Sequence, residues 1–336
     1  MTTAGDRDTG EASAAGGGTI AVGHYCEGAG HATRMLAVAE ALADAGYEFE
    51  IAGGGPGEPF VEANGYTEHP LPTVDFIESY QGEETARGSA RGVLDDVADS
   101  TRRIRAYVSW LRELDPIAFV TDDFSGCIAG ALARQRLFYV SHDPVGFYET
   151  TPERASAQVR TRFPTFAAET FCFPTVWDGE PDIPGTTRVG PMAPVDDTPA
   201  SELPDVDVLV VPSAFSVDEH ELAAALAERG REATLVGGED WTLQPSLQPY
   251  IRAADLVVCS GYSTVMEAAV AETPCVVLPA TSEQRGVAAA IADVQGFAVA
   301  KSIEDVVDQL GTLDPPSGHE NGALTIAEIV DDALGA

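Results

Sequence analysis

Lysine is all but missing from this chain. Lys301 is the sole lysine among 19 basic residues, which face 54 aspartates and glutamates for a formal net charge of −35 over 336 residues. With so few cations there is no basic stripe to neutralise phosphates and release their counterions, which argues against nucleic acid as a partner. A surplus of carboxylates with almost no lysine keeps a protein soluble at molar salt, where self-repulsion is screened. The composition is therefore of the haloarchaeal type. The expected location is cytoplasmic, with peripheral contact at the inner face of the membrane as the one possible excursion. No apolar run approaches the roughly 20 residues of a membrane span. Residues 1–18 are acidic and rich in glycine and alanine; they lack the apolar segment of a signal peptide and read as disordered.

Paired cysteines are lacking as well. Cys26, Cys127, Cys172, Cys259 and Cys275 are odd in number, scattered and without a C-x-x-C pair, so neither a zinc site nor a disulfide framework is supported. The dinucleotide fingerprint also fails. Gly28-Ala29-Gly30 would need a third glycine where Thr33 stands, and the next strand, Glu48–Ala52, does not end in the acid that would hold a ribose.

What is present is length for two domains and 44% apolar residues, enough for two cores. Short apolar runs alternate with helix-period runs, the pattern of parallel α/β units. Strands are expected at Thr19–Gly23, Glu48–Ala52, near Tyr66–Leu71, Ile117–Val120 and Leu137–Val140. In the second half they are expected at Val206–Val211, Glu232–Val236, Leu256–Cys259 and Cys275–Leu278. A long helix is predicted over Ala90–Leu114, with Val93, Val97, Ile104, Val108 and Leu111 on its buried face. A last helix is predicted over Ala323–Leu334, with Thr325 and Glu328 spaced as a capping box. The domain reading is a disordered segment 1–18, a first domain 19–191, a Pro/Asp-rich linker 192–205, a second domain 206–314 and a C-terminal helix within 315–336 that packs back on the first domain. The fold class is α/β, with two Rossmann-like doubly wound domains facing a central cleft.

The chemistry gathers at strand ends. Ser260-Gly261-Tyr262-Ser263-Thr264 leaves a strand and opens a helix, so free backbone N–H groups and the positive end of the helix dipole point outward together. Such a helix start is an anion site, and Gly261 lets a phosphate approach the backbone. Glu267 falls on the same helix face, and Glu283-Gln284 opens the next helix beyond the following strand. An ordinary N-capped helix with a solvated Glu would also satisfy the first of these features.

The order S-G-x-x-T-V-x-E, then P-x-V-x-L-P, then E-Q resembles the donor half of the GT-B glycosyltransferases. The closest pattern is that of family 28, which includes the lipid-linked N-acetylglucosaminyltransferase of bacterial cell-wall synthesis and the plant galactolipid synthases. The resemblance implies that Ser260, Gly261, Tyr262, Ser263 and Thr264 hold a nucleoside diphosphate, that Glu267 holds the ribose, and that Glu283 and Gln284 touch the donor sugar. Residues E-G-x-G-H-A-T-R resemble the first-domain loop of the same enzymes, which places Gly28, Gly30 and His31 at the cleft. A histidine at a helix N-terminus has its neutral form favoured by the dipole, as a general base requires.

Asp122-Asp123 and His142 end the two strands that follow. The two carboxylates either orient His31 or are one more acidic loop of a very acidic chain. Residues 144–178 are aromatic-rich and locally basic, with Phe147, Phe163, Phe166, Trp177, Arg154, Arg160 and Arg162. They read either as sheet core with a loop or as an acceptor-side surface for a lipid or phosphate group. Two departures from the family pattern stand out: Pro212-Ser213-Ala214-Phe215 replaces the usual glycines, and Val287 and Ala288 stand where an asparagine follows the E-Q pair.

The implied activity is inverting, metal-independent transfer of a hexosyl or N-acetylhexosaminyl group from a nucleoside-diphosphate sugar, UDP-linked by resemblance, to a lipid or glycan hydroxyl. The donor is a substrate and no cofactor is implied. No D-x-D stands where it would hold a metal against the diphosphate, since Asp205-Val206-Asp207 leads into a strand from the linker. A non-catalytic donor-binding subunit of a two-part transferase and a nucleotide-sugar epimerase remain as alternatives.

Overall fold

The computed structural model describes residues 17–74, 90–212 and 218–335. Residues 1–16, Ser213, Ala214 and Phe215, and the side chain of Val93 lie outside the described residues.

Two parallel sheets carry the chain. The first contains β1 (Thr19–Gly23), β2 (Glu48–Ala52), β3 (Ala118–Thr121), β4 (Leu137–Val140), β5 (Thr170–Pro174) and β6 (Thr187–Val189), in the order β2-β1-β3-β4-β5-β6. The second contains β7 (Val208–Val211), β8 (Ala233–Leu235), β9 (Leu256–Cys259), β10 (Cys275–Val277) and β11 (Phe297–Val299), in the order β11-β10-β9-β7-β8. Strands β3, β4 and β9 are buried along their whole length. Their continuous apolar runs follow from being covered by helices on both faces.

The strand order fixes where a ligand can sit. In each sheet the first strand lies between strands that the chain reaches by opposite crossovers, β2 and β3 around β1, and β8 and β9 around β7. Connections leaving in opposite directions open a crevice at the carboxyl ends of those strands. The first crevice lies between the ends of β1 and β3, and the second between the ends of β7 and β9.

The helix Ala29–Asp44 packs Met35, Leu36, Val38 and Leu42 against Ile20, Val22 and Val120. The last helix, Gly322–Gly335, crosses back to that layer and adds Ala323, Ile326, Ala327 and Val330 to the same core. Its return needs glycine at two places: a Cβ on Gly190 would meet Glu320 O, and a Cβ on Gly322 would meet Gly190 O. The capping box expected at Thr325 and Glu328 does not form the helix start. Asn321 does, accepting from Ala323 N at 3.0 Å while its amide donates to Ala193 O at 2.8 Å.

Two further expectations are corrected. The segment Tyr66–Leu71 makes only a single bridge, Ala52↔His69, because Pro70 and Pro72 withhold the donors a ladder needs. In the helix Ala90–Leu114, Ile104, Val108 and Leu111 pack on the core as expected, but Val97 is 58% exposed and the buried face is rotated toward Arg103, Tyr107 and Trp110. The buried guanidinium of Arg103 sets that rotation. It donates to Asp123 at 2.6 Å, to Gly53 O and Pro72 O at 2.8 Å and to His24 O at 3.0 Å.

Candidate active site

Gly28, at φ 112°, turns the chain after β1 so that the helix Ala29–Asp44 begins with no side-chain cap and no acid in its first turn. His31 stands in that first turn. Its Nδ1 lies 2.8 Å from Asp122 Oδ2, just beyond β3, so the pair spans the first crevice. Nδ1 is approached by the Asp122 carboxylate and, at 2.5 Å, by Arg34 NH2, which also lies 3.4 Å from Nε2; the tautomer in which Nδ1–H donates to Asp122 leaves the lone pair on Nε2. Asp122 also accepts from Tyr25 N at 2.8 Å and Arg34 Nε at 2.6 Å. Burial alone would raise its carboxyl pKa, but the pairing with His31 and Arg34 overrides burial and holds it well below the usual carboxylate range. Burial and the neighbouring Arg34 cation in turn lower the pKa of His31 against the opposing pull of Asp122. The imidazole is therefore neutral near pH 7, with one ring nitrogen unprotonated.

The second acid of the pair does other work. Asp123 takes Arg103 Nε on one oxygen and Ser125 N, at 2.7 Å, on the other, which makes it the N-cap of the helix Phe124–Ala133. Its carboxylate is spent on architecture, and the orientation of His31 rests on Asp122.

The second crevice carries the turn Ser260–Thr264. Ser260 ends β9, and the helix Tyr262–Val270 starts after Gly261 without a side-chain cap. The first amides of that helix therefore face outward. Beside Gly261 there is room: a Cβ there would meet nothing nearer than Gln284 Nε2 at 4.0 Å. One turn inside, Glu267 is 5% exposed, and its Oε2 has no hydrogen-bond partner. Burial raises the pKa of this carboxyl to about 8. An orphaned buried carboxylate oxygen beside an anion-binding helix start fits the hydroxyls of a ribose. Ser263 and Thr264 are half-buried on the same turn.

Glu283 and Gln284 open the helix Ser282–Ile291, as expected, but they differ in use. Gln284 forms a capping box with Thr281, its Oε1 accepting from Ala280 N at 2.8 Å and Thr281 N at 3.1 Å. Its carbonyl oxygen is therefore committed to the turn, while Nε2 faces the space by Gly261. Glu283 accepts from His142 Nε2 at 3.2 Å, a bond that overcomes burial and lowers its pKa.

The two crevices meet face to face. A Cβ on Gly30, next to His31, would collide with Ser263 Oγ, so that position must be glycine for the domains to approach this closely. The ring of Tyr262 does not line the turn it belongs to. It crosses to the first domain, stacks on His142 with centroids 3.7 Å apart and donates to Pro174 O at 2.6 Å. Only its backbone N–H is left to the turn. Arg34 sits beneath, 5% exposed, with NH1 donating to His142 Nδ1 at 3.2 Å and its guanidinium 5.9 Å from the Tyr262 ring centre. The sequence reading missed Arg34 as a site residue; its position one turn beyond His31 on the same helix face was the available signal.

Among the described residues, no group of three or more His, Cys, Asp or Glu side chains is arranged to hold a metal ion. Asp207 of the D-x-D triplet precedes β7 at the edge away from the crevice, where it accepts from Glu232 N at 2.8 Å and pairs with Arg231.

The architecture is that of the GT-B glycosyltransferases. The SsfS6 glycosyltransferase of Streptomyces sp. SF2575, complexed with thymidine diphosphate, superposes with a TM-score of 0.64 at 14% identity over 95% of this chain and 96% of that one. The spinosyn rhamnosyltransferase SpnG, complexed with spinosyn aglycone, gives 0.58 at 17% identity over 94% and 96%. In sequence, the chain is 22% identical over 374 residues to an uncharacterized glycosyltransferase of Methanosarcina acetivorans, covering 92% of this chain and 97% of that one. No family model matches the chain.

Proposed function

We propose that this chain is an inverting, metal-independent glycosyltransferase. It moves a hexosyl or N-acetylhexosaminyl group from a nucleoside-diphosphate sugar to a hydroxyl of a lipid or glycan acceptor. The observation that carries the reading is the opposition of two groups across one cleft: the neutral His31, oriented by Asp122, and the open helix start at Gly261 with the unpaired Oε2 of Glu267 behind it.

The acceptor hydroxyl gives its proton to His31 Nε2 as its oxygen attacks the anomeric carbon. The carbon–oxygen bond to the diphosphate breaks on the opposite face, so the configuration inverts. Asp122, already anionic, stabilises the imidazolium that results. The departing diphosphate is received by the amides of Gly261–Thr264 and the dipole of their helix, which do not need to reorganise. Glu267 takes the ribose hydroxyls, and Glu283 is placed to meet a sugar hydroxyl. Gly28 and Gly30 shape the acceptor side, and His142 lies at its border with the donor side.

An epimerase would need carboxylates acting on the donor, whereas Asp122 and Glu283 are engaged by His31, Arg34 and His142. A non-catalytic donor-binding subunit is the second reading, favoured by the altered sequence after β7. The resemblance leans to uridine; the thymidine diphosphate on SsfS6 makes thymidine the comparison to run.

Calorimetry with a panel of nucleoside diphosphates and their sugars, in molar KCl, tests the donor site. Gly261→Val places its side chain in empty space, so the variant folds but blocks the phosphate. Glu267→Ala weakens binding by about 1–3 kcal/mol. Wild-type affinity in both variants places the nucleotide elsewhere.

A further inference from the structure

Arg34 is buried, cationic and shared among three partners that belong to different parts of the molecule. Its Nε is 2.6 Å from Asp122 Oδ2, its NH1 is 3.2 Å from His142 Nδ1, and its NH2 is 2.5 Å from His31 Nδ1. Asp122 follows β3, His142 follows β4, and His31 lies one turn back on Arg34's own helix. A guanidinium can only donate, so His142 Nδ1 accepts and Nε2 directs its proton to Glu283 on the second domain, whereas toward His31, whose Nδ1 proton goes to Asp122, NH2 can donate only to Nε2, 3.4 Å away. The stacked Tyr262 ring closes the assembly from that same domain. The path from the Asp122 carboxylate through Arg34 and His142 to Glu283 is thus unbroken and crosses the cleft.

We propose that Arg34 is the positioning residue of this site, holding Asp122 against His31 and tying that pair, through His142, to the donor-side Glu283 and Tyr262. The role rests on His31 being the base described above. A planar fork suits the task because its nitrogens leave in fixed directions, which a lysine ammonium cannot reproduce. The cation also bears on His31 directly. Its second protonation would place two positive charges side by side, so Arg34 keeps the ring in the form that accepts a proton.

The other charged or titratable groups facing His31 are Tyr25 from the preceding loop, whose ring packs edge-on at 5.1 Å, and Asp122, His142 and Glu283. Of these, burial and Arg34 dominate in favouring neutrality, and Asp122 opposes them. Removing the cation therefore moves the His31 titration upward.

The test reads the His31 ring itself. Histidine ring nitrogen and carbon resonances are followed with pH in the full chain in molar KCl, His31 being assigned by its loss in His31→Ala. Wild type should show the proton on Nδ1 and none on Nε2. In Arg34→Gln the titration midpoint should rise by about one unit or more. Sugar transfer should fall at least about tenfold, its acid limb shifted by the same amount, with nucleotide affinity within about twofold of wild type. Arg34→Lys should return the midpoint toward wild type and restore transfer only in part, because the charge is kept and the fork is lost. If Arg34→Gln does not fold, Arg34→Lys alone decides, and a wild-type rate in that variant overturns the proposal. An unchanged His31 midpoint in Arg34→Gln also overturns it. Because the titration needs neither donor nor acceptor, it judges Arg34 even if the chain transfers no sugar. Failure of the functional reading would show separately, as absent nucleotide binding or transfer in wild type.

Discussion

Glu267 holds a proton that it would lose in water. With burial raising its folded pKa to about 8 against an ordinary 4.5, the carboxyl is neutral near pH 7. Below about pH 4.5 it is protonated in both folded and unfolded chains and contributes no difference. Above that the unfolded chain ionises first, so the stability attached to this group is lost progressively as pH rises through about 8. Glu267→Gln removes the titration. Its melting temperature should gain on wild type from pH 5 to pH 8, with a difference on the order of 3 kcal/mol by pH 7. A difference that is flat with pH contradicts the assignment. Ribose hydroxyls favour the ionised form, so nucleotide binding to wild type near pH 7 should release close to one proton, seen by calorimetry in buffers of different ionisation heat, and binding to Glu267→Gln should release none.

His31, Asp122 and Glu267 could be singled out from the sequence because each lies in or just after the turn that leaves a strand end, and the pattern locates strand ends well. It did not separate Asp122 from Asp123. Which of two adjacent acids faces the histidine depends on Arg103, a cation buried on a helix of which only the apolar stripe was read as buried. Arg34 was hidden for the same reason: its partner Asp122 is 88 residues away.

At the scale of elements, the helix Thr151–Arg162 and the short turn of helix at Pro164–Ala167 turn an apolar stripe outward. Val159, Phe163 and Phe166 are 59%, 36% and 89% exposed. Arg154 and Arg162 are exposed beside them, with no ion pair among the described residues. Helical spacing makes such a stripe look like core, which is why the sequence left residues 144–178 undecided. In the structure Phe147, Phe171, Phe173 and Trp177 are the core members. An acceptor carried in a membrane would give the outer stripe a use, since apolar side chains flanked by arginines suit an anionic lipid surface. Vesicles with anionic lipid should sediment the wild type, and Phe166→Asp with Arg162→Glu should abolish this without changing nucleotide affinity. Equal sedimentation of variant and wild type removes this support for a lipid acceptor.

The central strands β3, β4 and β9 were legible because each is a short buried run between helices, whereas β5, β6 and β11 were not read from the sequence. Pro70 and Pro72 defeated the strand near Tyr66–Leu71, and the cap of the last helix was misplaced because Asn321 takes its other partner from Ala193, far away in sequence.

For the molecule as a whole, charge and cleft set the terms. A net charge of −35 with a single lysine strains the compact state wherever salt is too dilute to screen it. The melting temperature should rise steeply from dilute buffer to molar KCl; no rise would sink the halophilic reading. The facing of the two sheets was readable from motif order, but the tightness of their contact was not, because it depends on Tyr262 reaching across and on Gly30 leaving room for Ser263.

The claim that joins these scales is that one domain holds the donor while the other supplies the base. Comparing donor affinity with transfer rate in His31→Ala tests it most directly. Donor affinity should stay near wild type, and transfer should fall by about 10²–10⁴-fold. The wild-type rate should hold through neutral pH and decline only below about 6.5, the ordinary histidine value, because burial and Arg34 lower the pKa of His31. Normal transfer by His31→Ala would contradict the account.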